Sequence, residues 1–274
     1  MHRVFAFALL AALLILAPRE AAAQSVPSTC IAVAENLPQT LRATYVSLDA
    51  KTPIRVAQRG RDEVRITYVH HSTYLIESPN GVTAATDYSG FSGPTVPDIA
   101  TMNRAHTTHF TEFPDPAIDH VLKGWNPQGG PARHALTVDD MYVRNVPTDI
   151  RSVGRGLEPD GNSIFIFEVA GLCIGHLGHL HHRLTDEDYA AIGRLDILMV
   201  PVDGGYTLSQ EGMGEIAKRL RSSIVLPMHR FRGPIDRFLD RLPDFAVDRR
   251  AENSFTVSLR TLPGRPTVIV LSGV

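Results

Sequence analysis

The pattern of apolar and polar positions predicts consecutive strands in the first part of the chain. Apolar and polar side chains alternate over residues 64–69, and the alternation resumes over 73–77. A turn at residues 79–81 then leads into a further strand at 82–86. Alternation with a period of two is typical of strands that bury one face. We therefore expect a β-meander at the start of the fold.

The second half of the chain alternates between apolar runs and helical patterns. Residues 163–169 and 172–174 predict two strands, and a helix is predicted to begin at Thr185 with Asp188 as its capping partner. The other predicted elements are strands at 196–202, 223–228 and 267–271 and helices at 209–221 and 234–242. Histidines follow the ends of several of these strands, which is where α/β proteins place their chemistry.

Two long irregular stretches, at residues 88–97 and 124–131, are rich in Gly, Pro and Asn. Long loops in a compact domain are usually functional or disordered. These two flank the segment 103–111, which carries His106 and His109. The flanking positions favour loops that contact a substrate.

The first 23 residues predict a secretory signal peptide. A basic start, Met1-His2-Arg3, precedes the apolar run 4–17 and a small-residue cleavage pattern that ends before Gln24. The apolar run is too short to span a bilayer comfortably, and no later segment reaches the required length. We expect a periplasmic or secreted mature domain of residues 24–274. An uncleaved membrane anchor is the alternative.

Composition and charge limit the function classes. An apolar fraction of 43% in a chain of this length can bury a sizeable core, so one large domain is expected and two are allowed. The formal net charge of −2 gives no basic field for nucleic acid or for an acidic membrane surface. We expect a small molecule as partner.

The chain has only two cysteines, Cys30 and Cys173. Export would permit a disulfide between them. Cys30, however, lies near the expected mature N-terminus, and Cys173 lies within a strand predicted to be buried. These positions favour two unpaired cysteines.

Twelve histidines occur in the chain, and the informative ones form three groups far apart in sequence. They are His106 with His109, the run His176, His179, His181 and His182, and His229. Imidazole is the commonest side-chain metal ligand, so the three groups favour one shared metal site. The alternative is that they are ordinary polar surface or core histidines.

Several segments carry motifs that identify a family. Residues 68–77 look like an opening Gly-His-Ser hairpin, 84–87 like the strand after it, and 174–180 like a His-Leu-Gly-Asp-Leu metal loop. Residues 196–206 and 223–229 resemble Asp-strand-Pro-Val-Gly-Gly-Tyr and Ile-Pro-Met-His signatures. Together these segments resemble the metallo-β-lactamase superfamily, and within it the lactonase-like and phospholipase D-like zinc hydrolases. The resemblance implies an α/β fold, the four-layer αββα sandwich, with metals at one edge of its sheets.

The chain departs from the metal motif of that family. Where members carry His-x-His-x-Asp-His, the corresponding residues are Arg104, His106, Thr108 and His109. His179 takes the place of the usual bridging aspartate, and residues 146–150 lack the histidine found after the corresponding strand. The resemblance leaves as metal ligands His106, His109, His179 and His229, with Asp149 as a candidate fifth.

The departures predict one metal ion rather than two. Two dications within about 3.5–4 Å need bridging anions to offset their repulsion, and here the bridging carboxylate is lost and Arg104 is gained. The resemblance assigns the ion to His109, His179 and His229 with an open position. We expect zinc, and iron or manganese are alternatives; three imidazoles also suit copper and nickel. Neutral ligands would let the pKa of a bound water fall toward about 7.

Three further residues are expected to act beside the metal. His106 would complete the ligand shell or act as a nearby base. Thr108 would orient the water by a hydrogen bond, although a hydroxyl cannot take up the proton as the usual aspartate does. Arg104 would bind an anionic leaving group or form an ion pair with Asp87 or Asp149.

Other histidines are expected to play supporting roles. His71 and His176 should orient the ligands by hydrogen bonds rather than bind the metal. His181 and His182 should face solvent.

The sequence thus favours an exported metal-dependent hydrolase of a small ester, lactone or phosphodiester. A non-catalytic periplasmic metal- or ligand-binding protein derived from the same fold is the opposing hypothesis. Arg104 and Thr108 favour binding alone, whereas the four retained histidines favour hydrolysis. A third alternative is another metal-centred reaction such as iron-dependent oxidation.

Overall fold

A computed structural model of the protein describes residues 28–31, 62–152, 156–231 and 233–274. The expected signal peptide 1–23 and the mature start at Gln24 lie outside these residues. None of the helices in the described ranges is long and apolar enough to cross a membrane.

The described residues form two sheets and three helices. The first sheet has six strands: β1 (Val64–His70), β2 (Thr73–Glu77), β3 (Thr83–Ala85), β4 (Ile99–Met102), β5 (His120–Lys123) and β13 (Ser254–Val257). The second has eight: β6 (Ala135–Val138), β7 (Met141–Ser152), β8 (Gly156–Val169), β9 (Leu172–His176), β10 (Ile197–Pro201), β11 (Ile224–Met228), β12 (Ala246–Arg249) and β14 (Thr267–Val270). The helices are α1 (Asp186–Ile192), α2 (Gln210–Leu220) and α3 (Asp236–Leu239).

The two sheets pack face to face around the main core. Ile66 and Ile76 of the first sheet belong to one buried cluster with Phe165, Phe167 and Leu226 of the second. These strands alternate or are apolar throughout because one or both of their faces exclude water. The strand order is β13-β1-β2-β3-β4-β5 in the first sheet and β12-β14-β11-β10-β9-β8-β7-β6 in the second.

The outer faces of the two sheets are covered differently. Ile192 of α1, Met213 of α2 and Phe238 of α3 pack against the outer face of the eight-stranded sheet. On the outer face of the six-stranded sheet, Met102 and Ile118 pack with loop residues of the described part of the chain. The predicted α/β sandwich is confirmed, and loops form the outer layer on this side in the ranges described.

Local sequence patterns predicted several elements correctly. β1 and β2 occur as expected, and Thr185 and Asp188 form the reciprocal capping box at the start of α1. Ser209 caps α2. The helix predicted at 234–242 is shorter, Asp236–Leu239. The strands that the pattern missed are β4, β5, β6, β7, β12 and β13.

The sheet topology brings distant segments to one edge. Strands β9, β10 and β11 are parallel neighbours, so the residues after their carboxyl ends meet there. These residues are His179, Asp203 and His229. The turn between β1 and β2 reaches the same edge, because the His229 amide donates to the carbonyl of His71 at 2.7 Å.

A disulfide joins Cys30 to Cys173 across 143 residues. The expectation that both cysteines are unpaired is therefore wrong. Cys30 is held beside β9 by a second contact, since the Arg194 amide donates to the Cys30 carbonyl at 2.8 Å. Nearby, the amide of Thr29 donates to Glu168 at 2.8 Å. The segment 28–31 thus contacts the eight-stranded sheet, which sequence separation alone did not indicate.

Candidate metal centre

Five imidazole rings converge at the shared edge of the sheets. One nitrogen each from His71, His106, His109 and His229 lies within 4.8 Å of the corresponding nitrogens of the other three. The ring centre of the fifth, His179, lies 5.0 to 5.2 Å from those of three of these residues. The structure therefore brings together all four of the histidines that the sequence singled out as ligands, and adds His71.

Asp87 orients His109, which is fully buried. His109 Nδ1 lies 2.6 Å from one Asp87 oxygen, and Asn103 donates to the other at 2.8 Å. Burial by itself would raise the pKa of Asp87, but the His109 contact and these hydrogen bonds lower it to about 2. Asp87 is therefore a carboxylate at neutral pH and holds the Nδ1 proton. His109 Nε2 is left buried with no hydrogen-bond partner among the described residues.

Asp203 is the carboxylate beside His229, in ion-pair contact rather than in a well-aligned hydrogen bond. Its Oδ1 lies 3.1 Å from His229 Nδ1, and the amides of Gly205 and Tyr206 donate to its Oδ2 at 2.8 and 2.6 Å. The Thr207 hydroxyl also donates to Asp203. Burial would raise the pKa of Asp203, but His229 and these donors hold it well below its usual range. His229 Nε2 then points at His106 Nε2, 3.4 Å away.

His106 and Thr108 are in direct contact. Thr108 Oγ1 lies 2.8 Å from His106 Nδ1. Burial, followed by the neighbouring His109 and His229, lowers the pKa of His106 to about 4. His106 is consequently neutral near pH 7. The hydroxyl of Thr108 orients the His106 ring.

His179 is held by a tight loop after β9. Its amide donates to Asn162 Oδ1 at 2.8 Å. The preceding Gly178 has a φ of 61°, and a Cβ there would collide with the side chains of Asn103 and Asn162. Both ring nitrogens of His179 are buried without a hydrogen-bond partner in the described ranges. Burial and the neighbouring imidazoles lower its pKa to about 2.

His71 lies within the cluster rather than beside it. Its ring centre is 4.1 Å from that of His229, and its Nε2 is buried with no partner among the described residues. Burial, then the three imidazoles around it, lower its pKa to about 3. His176 has the expected supporting role instead, because its Nε2 contacts the Ser72 carbonyl at 2.8 Å and its Nδ1 accepts from Gly178.

Asp149 and Arg104 have polar partners other than the clustered histidines. Asp149 Oδ1 accepts from the Asp160 amide at 3.2 Å, and Asp149 is not among the four converging donors. Arg104 Nη1 lies 2.9 Å from Glu158 Oε1, rather than pairing with Asp87 or Asp149 as expected. The two carboxylates near the centre instead act through histidines.

The donor set fits a metal ion. Nitrogens in a tetrahedral zinc shell lie about 3.3–3.4 Å apart, because Zn–N bonds are about 2.0–2.1 Å long. The 3.4 Å between His106 and His229 matches this spacing. Buried nitrogens without partners are costly and call for a ligand. All four converging donors are imidazoles, which suit zinc, iron, copper and nickel.

Sequence reasoning did not assign Asp87, Asp203, Asn103 and Asn162 to the centre. Asp87 and Asp203 each follow a predicted strand, at 82–86 and 196–202, and an acidic residue at that place is a usable signal. Asn103 and Asn162 carried no such signal. Their roles depend on contacts between segments about sixty residues apart, since Asn103 accepts from the Ser163 amide at 2.7 Å.

A family model and two related proteins match this chain. A family model described as a beta-lactamase superfamily domain matches residues 65–229. The chain is 23% identical over 180 residues to a metal-dependent hydrolase of Methanoculleus marisnigri, covering 61% of this chain and 80% of that protein. It is 25% identical over 185 residues to a metal-dependent hydrolase of Methanocorpusculum labreanum, covering 61% and 83%.

Solved structures show the same similarity. A Thermotoga maritima protein assigned to the zinc-dependent hydrolases of the metallo-β-lactamase superfamily aligns with a TM-score of 0.56 and 28% identity, over 76% of this chain and 98% of that chain. A metallo-β-lactamase-fold protein of Bacillus subtilis aligns with a TM-score of 0.50 and 12% identity, over 77% and 98%. The second comparison bears on the fold alone.

Proposed function

The chain belongs to the beta-lactamase superfamily, and from this premise we propose that it is a metal-dependent hydrolase of a small ester, lactone or phosphodiester. One observation carries the proposal: one ring nitrogen each of His71, His106, His109 and His229 lies within 4.8 Å of the corresponding nitrogens of the other three. The relatives described as metal-dependent hydrolases support the same reaction class.

The residues of the chain prepare this centre for an ion. Asp87 and Asp203 fix the tautomers of His109 and His229, so that Nε2 of each faces the centre. The Thr108 hydroxyl contacts His106 Nδ1 and orients this ring, and it can donate or accept there according to the tautomer. When bound, an ion held there would polarise a carbonyl or phosphoryl oxygen and lower the pKa of a water molecule.

We propose one ion, and zinc as its identity. Among the described residues, the converging donors include no carboxylate that could bridge two dications about 3.5–4 Å apart. Arg104 adds a positive charge near the ligand segment. Iron and manganese are the alternatives, and metal analysis distinguishes them.

Arg104 is the proposed contact for an anionic part of the substrate. Its side chain is 42% exposed, and Glu158 occupies only part of its donor set. A guanidinium has five N–H donors in a planar fork, so Arg104 can keep the Glu158 contact and still bind a phosphate or carboxylate oxygen. This geometry favours a substrate that carries or develops a negative charge near the scissile bond.

The test is metal analysis combined with a hydrolysis panel. Protein purified without added metal should contain about one equivalent, and removing it with a chelator should abolish hydrolysis of at least one ester, lactone or phosphodiester. Restoring zinc should restore the rate. A chain that binds one ion and hydrolyses none of these three classes is instead the non-catalytic binding protein. Hydrolysis unaffected by the chelator refutes the proposal.

We also propose that the protein is exported. The Cys30–Cys173 disulfide supports an oxidising compartment, because such bonds persist outside the reducing cytosol. The basic, apolar and small-residue regions of 1–23 support cleavage before Gln24. Mass spectrometry of the protein recovered from the periplasm or medium should give a chain that begins at Gln24. An intact Met1 on cytoplasmic protein would contradict export.

A further inference from the structure

His71, at the turn between β1 and β2, adopts a backbone conformation that its role as an orienting residue does not explain. Seven described residues other than glycine have a positive φ, and three of them are at this centre: His71 (46°), Asp87 (42°) and His229 (52°). Such conformations cost free energy and persist at functional sites. Two of the three already have assigned roles in the centre. The third is His71.

The backbone of His71 is attached to that of a residue in the ligand group. Its carbonyl accepts from the His229 amide at 2.7 Å and from the Tyr68 hydroxyl at 3.2 Å. These two contacts fix the turn against the end of β11. The His71 ring lies beside the His229 ring, with 4.1 Å between the ring centres.

The ring nitrogen of His71 has no other use in the described structure. Nε2 is buried and lacks a hydrogen-bond partner among the described residues. An orphaned buried polar atom is destabilising, so its retention needs a reason. One ring nitrogen of His71 belongs to the group of four that lie within 4.8 Å of one another.

His179 differs from His71 on this last point. Its ring lies near the cluster, at 5.2 Å from His106 and 5.1 Å from His229, but it is outside the group of four converging nitrogens. Both of its nitrogens are free of partners in the described part of the chain. His179 can therefore contact a substrate or a water molecule, because neither of its ring nitrogens is needed to hold the ion.

We propose that His71 is the fourth metal ligand, that the ligand set is His71, His106, His109 and His229, and that His179 faces the substrate instead of the ion. This assignment rests on the proposed function for the presence of an ion. It gives a shell of four neutral imidazoles that can still accept a fifth ligand, since zinc expands to five-coordination.

The experiment compares metal binding by His71→Asn and His179→Gln. Asparagine suits the positive φ at position 71, so the first variant removes the ring without imposing new backbone strain. His70→Asn is the matched control, because His70 is the adjacent residue and contacts Ser89 and Phe91 instead of the cluster. The probes are zinc, titrated against a chromophoric chelator, and cobalt(II), whose absorption reports the ligand set.

We expect His71→Asn to weaken zinc binding by more than the roughly 10–100-fold that losing an outer partner costs, and to change the cobalt spectrum. His179→Gln and His70→Asn should keep both the affinity and the spectrum. The inference is overturned if His179→Gln loses the ion while His71→Asn retains it, or if both lose it equally. Urea unfolding of metal-free protein shows whether each variant is folded.

These measurements distinguish a failure of the His71 ligand assignment from a failure of the hydrolase proposal. If the unaltered protein binds zinc through His71 but hydrolyses no ester, lactone or phosphodiester, the ligand assignment stands and the hydrolase proposal fails. If the unaltered protein hydrolyses one of these substrates in a zinc-dependent way and His71→Asn binds zinc normally, the hydrolase proposal stands and the ligand assignment fails. An unaltered protein that binds neither zinc nor cobalt overturns both.

Discussion

At the scale of single residues, two carboxylates decide which nitrogen a histidine presents. Asp87 contacts His109 Nδ1 at 2.6 Å, and Asp203 lies 3.1 Å from His229 Nδ1. A carboxylate at Nδ1 keeps the proton on that side and raises the basicity of Nε2. In the cluster, these two carboxylates contact Nδ1 of the imidazole rings and leave Nε2 of each ring available.

We expect Asp87→Asn to weaken metal binding by about 10–100-fold. Asparagine tolerates the positive φ at this position but carries no charge to hold the His109 proton. Asp98→Asn is the control, since Asp98 accepts hydrogen bonds from Thr83 and is not in contact with the cluster. Chelator competition measures both affinities. Equal weakening in the two variants would show that Asp87 has no specific role.

The motif resemblance of residues 104–109 predicts that Thr108 takes the place of the family's acidic ligand. We expect Thr108→Ala to retain one metal ion, because imidazoles hold it, and to slow hydrolysis several-fold as His106 loses its 2.8 Å contact. Thr108→Asp alone should stay mononuclear because Arg104 remains nearby. Arg104→His with Thr108→Asp should move toward two ions. Metal analysis of the three variants at one zinc activity decides this, and two tightly held ions in the unaltered protein would refute the charge argument.

At the scale of elements, the pairing of β7 with β8 carries a buried charge network. Arg144 on β7 donates to Glu168 on β8 at 3.0 Å, and also to the carbonyls of Ala191 and Ile192 at the end of α1. Thr29 donates to the same carboxylate. The network thereby joins two strands, one helix end and the segment 28–31.

We expect Glu168→Gln to lower the free energy of unfolding by about 3 kcal/mol at pH 7, because it leaves a buried guanidinium without its anion. Burial would raise the pKa of Glu168, but hydrogen bonds from Ser28, Arg144 and Thr29 lower it overall. A depressed folded-state pKa stabilises the fold above the ordinary glutamate value, and this stabilisation is lost as the pH falls through the folded-state pKa.

The difference between the unaltered protein and Glu168→Gln should therefore be largest near neutral pH and shrink below about pH 4.3, the ordinary glutamate pKa. Urea unfolding at several pH values measures it. Glu77→Gln, on exposed β2 surface, should show little difference at any pH. A difference for Glu168→Gln that does not change with pH would mean that the ion pair is not its source.

At the scale of the whole molecule, the disulfide closes a segment of 143 residues. We expect Cys30→Ser to lower the free energy of unfolding by about 2–4 kcal/mol, since cross-linking restricts the unfolded chain. Cys173→Ser and the double variant should lose the same amount. A reductant should destabilise only the unaltered protein. Urea unfolding with and without reductant tests this, and additive losses in the double variant would contradict a shared bond.

The pattern predicted the starts of α1 and α2 and about half of the described strands, but it did not predict the long β7–β8 pair. The pattern predicted only 163–169 of β8, and Pro147 and Pro159 interrupt the alternation within the two strands. Proline weakens a strand prediction because it cannot donate to a neighbouring strand. Here Pro147 pairs with Ser163 near the bulged end of the ladder. Pairing with the neighbouring strand decides whether these residues form a strand, and the sequence pattern does not reveal which segment is that neighbour.

The sequence by itself determined the family, the α/β class and the four histidines expected as ligands, because side-chain type and short-range spacing carry these signals. Only the tertiary structure decided that His71 lies in the same cluster, that Asp87 and Asp203 contact rings of that cluster, that Arg104 pairs with Glu158, and that Cys30 meets Cys173. Each of these depends on which strand ends share an edge of the sheets. That arrangement is set by the burial of apolar faces throughout the chain, so no local stretch of residues encodes it.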